Sequence, residues 1–306
     1  MKLLFIRHGE TVDNVAGVYA GVKDSPLTIQ GNLQAERLGK FLAERGLCLS
    51  HVFSSNLQRA VKTAIALCTA QPLGQNGSED PATPPKRPEV TQLEVLREQD
   101  FGYYEGKPFY ARPREGTKSG KDDHRSQHQD DPDFQDVESK ESMNARMDQF
   151  LQVHLLPVLE NIRDGTTQDI AIVSHGIILS HLWRRFLNMC PKYSVSVMPG
   201  LSLGYGPYTA LEHLGGWSNT GYLELIILPK DYRKKEERIA SSEPRSQSPT
   251  AEPEAHLPPL AGYSVLINVI NSKEHLVGLK RVRGVGSSQH DAGQKKIENF
   301  FKKPKT

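Results

Sequence analysis

Arg7-His8-Gly9-Glu10-Thr11 follows directly on a short apolar run, Leu3 to Ile6, and Ser174-His175-Gly176 follows another, Ile170 to Val173. Short continuous apolar runs that end in a polar turn have the form of buried strands in a parallel sheet. Ligands of open α/β sheets bind at the carboxyl ends of the strands. Arg7, His8 and His175 are therefore expected at such a rim. Two strand-end histidines beside an arginine suit phosphoryl transfer through nitrogen. A neutral imidazole can attack phosphorus if its other ring nitrogen donates a hydrogen bond that holds the ring. A guanidinium matches the phosphoryl oxygens and stays charged at physiological pH.

The elements that must carry these residues alternate between strand and helix. Thr28 to Arg45 has helical spacing, with Leu33, Leu38, Phe41 and Leu42 on one side. His51 to Ser54 reads as a strand, Arg59 to Ala70 as a helix, Ile177 to Leu187 as a helix and Tyr222 to Leu228 as a strand. This alternation predicts an α/β fold, a three-layer α/β/α sandwich around a mostly parallel sheet. Leu73 to Pro88 is rich in Pro, Gly and Ser and reads as a loop, and the charged stretch Lys107 to Lys140 as a surface insertion. Residues 229–260 have the composition of a disordered linker. Structure is expected to resume at 261–283 as a β-hairpin, Ser264–Ile270 and His275–Lys280 flanking Asn271 and Ser272. The divisions are thus 1–228, a catalytic domain; 229–260, a linker; 261–283, a hairpin extension; and 284–306, a basic tail.

Hydrophobic residues make up 37% of the 306 residues, enough for one good core with polar extensions. The net charge is +2, yet Lys280 to Thr306 holds eight basic and two acidic residues, which leaves the rest at about −4. Attraction to polyanions or acidic partners is thereby confined to the tail. Cys48, Cys68 and Cys190 show neither metal-ligand spacing nor a disulfide framework. The apolar run after Met1 is too short for a signal peptide or a membrane span. A cytoplasmic or nuclear location without membrane association is expected.

Five ordered blocks carry a resemblance. They are Arg7-His8-Gly9-Glu10-Thr11-x-x-Asn14; Leu27-Thr28-x-x-Gly31-x-x-Gln34-Ala35; Ser54-Ser55-x-x-x-Arg59-Ala60-x-x-Thr63-Ala64; Leu96-x-Glu98-x-x-Phe101-Gly102 with Glu105-Gly106; and Ser174-His175-Gly176. Together they resemble the histidine phosphatase superfamily, in its phosphoglycerate mutase-like branch, over residues 1 to about 228. One Arg-His-Gly tripeptide would be weak; five blocks in the family's order are specific. The resemblance implies that His8 is the nucleophile and becomes phosphorylated. It implies that Arg7, Arg59 and His175, with Gly176, bind the phosphoryl group and stabilise its charge. It implies that Asn14 adds a hydrogen bond at the pocket wall, and that Glu98 is first the general acid and then the general base. No metal and no cofactor are implied, and the substrate is a phosphorylated small molecule such as a sugar phosphate. Taken singly, Arg7 and Arg59 would read as surface arginines, Glu98 as a solvated carboxylate, His175 as a core histidine and Asn14 as a turn cap.

A mutase of this family carries a basic version of the Glu98 block and an Arg-Arg-Ser motif in the following insertion. Here the block is Arg97-Glu98-Gln99-Asp100-Phe101-Gly102 and the insertion lacks Arg-Arg-Ser, so the resemblance favours a phosphatase. A phosphoglycerate mutase-type phosphotransferase remains the alternative. Lys107, Arg112, Arg114, Lys118 and Lys121 of the insertion could meet a second phosphate or simply be solvated. His124 and His128 have helical spacing but lack the frame of a metal site.

The tail has its own pattern, Gln294-x-x-Ile297-x-x-Phe300-Phe301. It resembles the box by which proteins dock on the replication sliding clamp, proliferating cell nuclear antigen. One helical turn would set Ile297, Phe300 and Phe301 on one side as an apolar plug, with Gln294 donating to a side pocket and the flanking lysines steering it toward an acidic surface. The basic clusters at 280–283 and 302–305 also fit a nuclear import signal. DNA binding is disfavoured, since no fold for reading a groove accompanies the tail. A clamp-binding adaptor with a vestigial phosphatase core is the alternative from another class.

Overall fold

Leu3, Leu4, Phe5 and Ile6 are all fully buried, and they alternate between two separate cores. Leu3 and Phe5 join one, Leu4 and Ile6 the other. This is what a central strand covered on both faces requires. The computed structural model describes residues 1–73, 87–109, 130, 134–161, 168–201, 211–229 and 258–280.

The strand, β1 (Lys2–Arg7), lies mid-sheet. The others are β2 (Leu49–Ser55), β3 (Val90–Leu93), β4 (Asp169–Ser174), β5 (Val195–Val197), β6 (Tyr222–Pro229) and β7 (Tyr263–Ser272), in the order β3-β2-β4-β1-β6-β7-β5. β1 pairs in parallel with β4, placing Arg7 opposite Ser174. That register brings His8 and His175 to the same rim. β6 runs antiparallel to both of its neighbours, β1 and β7; the remaining pairings are parallel.

The described helices are α1 (Val12–Ala16), α2 (Ile29–Glu44), α3 (Gln58–Ala70), α4 (Lys140–Phe150), α5 (Leu156–Asn161) and α6 (Gly176–Asn188). α2 and α3 cover one face of the sheet; α4 and α6 cover the other. The expected three-layer sandwich is therefore the observed one. Thr28 caps α2 by accepting from the Gly31 N–H at 2.9 Å. Gly39 lets α3 approach: a Cβ there would lie 2.6 Å from the Ala66 carbonyl oxygen. The buried face of α2 includes Gln34, Ala35, Leu38 and Leu42, whereas Leu33 is exposed. Between α4 and α5 the helix widens into a π turn, Leu151–Leu155, just before Pro157, which has no N–H for the ladder. Truncating Leu4 to Ala in the second core would cost ~2–5 kcal/mol.

The expected 261–283 hairpin does not form. Its first arm is β7, but β6 and β5 occupy both edges of that strand, so no edge remains for a return arm. Asn271, next to last in β7, stands at φ +44°, and Glu274–Leu276 makes a single 3-10 turn. Leu260 is buried in the first core and donates its N–H to the Met189 carbonyl. Residues 260–276 thus belong to the same body as 1–228 rather than to an appended extension. Most of the linker (230–257), the insertion at 110–129, and the whole tail with Gln294, Ile297, Phe300 and Phe301 lie outside the described residues.

Candidate active site

At the carboxyl ends of β1 and β4, the His8 and His175 rings lie 5.0 Å apart, centroid to centroid. Both residues are buried. His8 Nδ1 lies 2.7 Å from the Gly9 carbonyl oxygen. A carbonyl only accepts, so Nδ1 carries the proton. Burial, and then the charges of Arg59 and Arg7, hold the ring's pKa well below the usual histidine value. His8 is therefore neutral, with its lone pair on Nε2.

His175 has the opposite tautomer. Arg59 donates Nε–H to its Nδ1 at 3.1 Å. Burial, then the Arg59 charge, again lowers the pKa well below the ordinary value. The single proton of His175 is left on Nε2. That atom and Arg7 Nε are buried with no hydrogen-bond partner among the described residues. Two buried N–H groups left over in one place call for an anion.

Arg59 is held by carbonyls. Nη1 donates to Lys23 O, and Nη2 to Ala20 O and Gly21 O, over 2.7 to 3.1 Å. Burial draws its pKa down to about 10, against the opposing pull of Glu98 and other nearby carboxylates, so it stays charged at neutral pH. Arg7 Nη1 donates to the Trp217 carbonyl at 2.6 Å.

The Glu98 carboxylate sits at the N-terminus of α6. Oε1 accepts from the N–H groups of Gln99 and Ile178, and Oε2 from that of Ile177. An anion suits a helix N-terminus, where the first N–H groups lack partners and the dipole is positive. Arg146 steadies the preceding backbone by donating to the carbonyls of Val95 and Arg97.

These groups border a cavity of about 430 Å³, lined by Arg7, His8, Asn14, Arg59, Glu98 and Gly176 among others. His175 is fully buried and is not among the lining residues; its ring stands beside that of His8, which is. Asn14 has two duties. Its Oδ1 closes a capping box on Thr11 and accepts from Asn219 Nδ2, while the residue also faces the cavity. Beyond the floor the walls include Tyr19, Phe101, Phe109 and Trp217. Among the described residues no cluster of three or more His, Cys, Asp or Glu side chains is placed to hold a metal. Lys107 stacks its ammonium on the Tyr103 ring, while Arg112, Arg114, Lys118, Lys121, His124 and His128 lie outside the described residues.

The other motif residues hold the loop after β1. Gly9 N–H donates to Thr63 Oγ1 and Glu10 N–H to Gln34 Oε1. A Cβ on Gly9 would come within 2.5 Å of the Gly31 carbonyl oxygen. Glu105 accepts the N–H groups of Gly21, Val22, Lys23 and Phe101, fixing the loop whose carbonyls receive Arg59. Sequence reasoning placed Glu105 in a motif without a role. Trp217 and Asn219 escaped it altogether, because they act in part through a backbone carbonyl and through a turn that no periodicity marks.

Residues 3–199 match the histidine phosphatase superfamily (branch 1). The chain is similar to a probable phosphatase of Schizosaccharomyces pombe, 26% identical over 98% of this chain and 79% of that protein. It is similar to a broad-specificity phosphatase of Saccharomyces cerevisiae, 29% identical over 58% of this chain and 66% of that protein. Similarity to a 2,3-bisphosphoglycerate-dependent phosphoglycerate mutase of Bifidobacterium longum is 42% but spans 24% of this chain and 30% of the mutase. The solved structure of a mycobacterial glucosyl-3-phosphoglycerate phosphatase shares the fold, with TM-score 0.52 at 18% identity over 89% of this chain and 98% of that one. With the family match spanning well over half of its length, the chain belongs to the histidine phosphatase superfamily.

Proposed function

We propose that the chain is a phosphatase that hydrolyses phosphomonoesters through a phosphohistidine on His8. The observation that carries this reading is the pair of opposite tautomers, a lone pair on His8 Nε2 beside an N–H on His175 Nε2. The first can attack phosphorus and the second can hold a phosphoryl oxygen. In the first step the N–P bond forms as the ester P–O bond breaks. The leaving oxygen takes a proton from Glu98, which enters the step protonated because the bound phosphoryl anion opposes its ionised form; Oε2 accepts a single N–H and can carry that proton. Arg7, Arg59 and His175 stabilise the charge on the equatorial oxygens, and Asn14 and Gly176 border them. In the second step Glu98 takes a proton from water, the water oxygen bonds to phosphorus, and the N–P bond breaks to release phosphate. These side chains supply the positive charge, so the reading needs no metal.

Hydrolysis is favoured over mutase chemistry by the sequence around Glu98, where the block reads Arg97-Glu98-Gln99-Asp100 and the following insertion lacks Arg-Arg-Ser. The relative aligned over nearly the whole chain is named a phosphatase, whereas the mutase similarity is local. Phosphate release from a panel of monoesters in chelator, compared with His8→Ala, tests the reading. Activity that survives chelator and vanishes in the variant is expected; no release from any ester would refute it.

We also propose that the tail recruits the enzyme to the sliding clamp in the nucleus. Support comes from the Gln294, Ile297, Phe300, Phe301 pattern and its flanking lysines. Capture of the clamp by the full chain, lost on Phe300→Ala with Phe301→Ala, is the expected result; equal capture by both would sink it.

A further inference from the structure

The loop from Trp217 to Thr220 touches the catalytic strand end at several points. Trp217 gives its carbonyl to Arg7 Nη1. Asn219 Nδ2 donates to the His8 carbonyl at 3.2 Å and to Asn14 Oδ1 at 3.0 Å. Thr220 N–H lies 3.0 Å from the Arg7 carbonyl oxygen and 3.2 Å from that of His8. Arg7, His8 and Asn14 therefore all take their backbone or side-chain placement in part from this loop. The loop has no strand or helix to hold it. Thr220 even adopts φ +53°, a left-handed conformation that a β-branched residue rarely takes.

The restraint comes from the end of β7. Asn271 Oδ1 accepts the Ser218 N–H at 2.9 Å, and Asn271 Nδ2 donates to Ser218 Oγ at 3.2 Å. Gly221 is the residue that permits this approach, since a Cβ there would collide with Asn271 Oδ1. Behind the loop, Thr220 Oγ1 donates to the Asn219 carbonyl and so must accept from His275 Nε2, at 2.8 Å. Asn271 and His275 both lie outside residues 3–199, the part that matches the family.

We propose that Asn271 is a positioning residue for the active site, setting Arg7, His8 and Asn14 through the Trp217–Thr220 loop. Asn271 itself stands at φ +44°, so alanine there would add backbone strain; glycine removes the side chain and keeps the conformation. Aspartate keeps an acceptor for the Ser218 N–H and can accept from the Ser218 hydroxyl. The inference rests on the phosphatase reading of the site, and its test separates the two.

Full-length wild type, Asn271→Gly and Asn271→Asp are compared in kcat and KM for p-nitrophenyl phosphate, in melting temperature, and in the imidazole nitrogen NMR signals of His8 and His175. Expected is a fall of ~10–100-fold in kcat/KM for Asn271→Gly, the scale of a small misplacement. It should be accompanied by shifted His8 signals in a fully folded protein. Asn271→Asp should restore both. Wild-type kinetics and unshifted His8 signals in folded Asn271→Gly would overturn the proposal, as would losses explained by the unfolded fraction alone. If wild type releases no phosphate, the phosphatase reading fails instead. The His8 shift in Asn271→Gly, absent in Asn271→Asp, then remains the requirement on which the positioning claim stands or falls.

Discussion

Arg59 and His175 meet through a single hydrogen bond of 3.1 Å, from Nε–H to Nδ1, and that bond decides where the histidine proton resides. A guanidinium has no acceptor, so Nδ1 must be bare and Nε2 protonated. Three further N–H groups of Arg59 go to the carbonyls of Ala20, Gly21 and Lys23. One guanidinium thus joins the 20–23 loop, the α3 helix and the end of β4.

Arg59→Lys keeps a positive charge but not the fork. It should leave His175 without its Nδ1 donor and several buried carbonyls unpaired. Loss of phosphoryl-group stabilisation on the scale of ~10²–10³ in kcat/KM is expected, together with ~1–3 kcal/mol of stability for each orphaned buried group. Steady-state kinetics and denaturant unfolding check this. A variant within a few-fold of wild type would show that charge alone suffices.

Glu105→Gln removes the charge that gathers four backbone N–H groups around the loop below Arg59. Charge-assisted bonds are about twice as strong as neutral ones. The variant should be destabilised by ~1–3 kcal/mol and should lose activity although Glu105 lies outside the cavity lining. Unfolding midpoints and kcat/KM measured together check the link; loss of stability with full activity would break it.

Glu98→Gln probes proton delivery. It should lower kcat/KM, which reports the phosphorylation step alone, by ~10²–10⁴ for an alkyl phosphate and barely for p-nitrophenyl phosphate, whose leaving oxygen needs no proton, while kcat falls for both because water attack still needs the base. An equal fall in kcat/KM for both esters would assign Glu98 to structure, through its cap on α6, rather than to protonation of the leaving oxygen.

The pH dependence has a definite sign. The pKa values of His8 and His175 are held well below 6.5, first by burial and then by Arg59, while burial brings His181 and His275 to about 4. Folded histidines of this kind stay neutral while the unfolded chain takes up protons. Their contribution is present above pH 6.5 and is lost as pH falls from there toward the folded values. Denaturant midpoints should therefore drop between pH 6.5 and 4. Activity should not show the loss near pH 6.5 that an ordinary histidine nucleophile would give. A kcat/KM profile that, once corrected for the ester's own ionisation, falls with a midpoint at 6.5 would contradict a buried neutral His8.

The rim was legible because β1 and β4 are so apolar that their ends are unmistakable, and because the register sets Arg7 opposite Ser174. The strands and helices that carry the motif blocks were found within a few residues. β3, whose four residues include Thr91 and Gln92, has too little apolar pattern to see. Helix α4 begins inside a charged stretch and buries Met143, Met147 and Phe150 at a spacing that the surrounding charges mask. The 261–283 hairpin failed because a local pattern of two apolar runs cannot reveal that β6 and β5 already hold both edges of β7. Loop 217–220 meets the strand end through backbone groups, the Asn219 amide and a left-handed Thr220, and only tertiary placement exposes these.

The central claim is a covalent bond between phosphorus and His8 Nε2. Rapid quenching of wild type with a phosphorus-labelled monoester, followed by peptide mapping, tests it most directly. The account expects an acid-labile, alkali-stable phosphate on the peptide that contains His8, formed and consumed at rates compatible with turnover and absent in His8→Ala. Turnover with no label on that peptide, or label retained in His8→Ala, would contradict it.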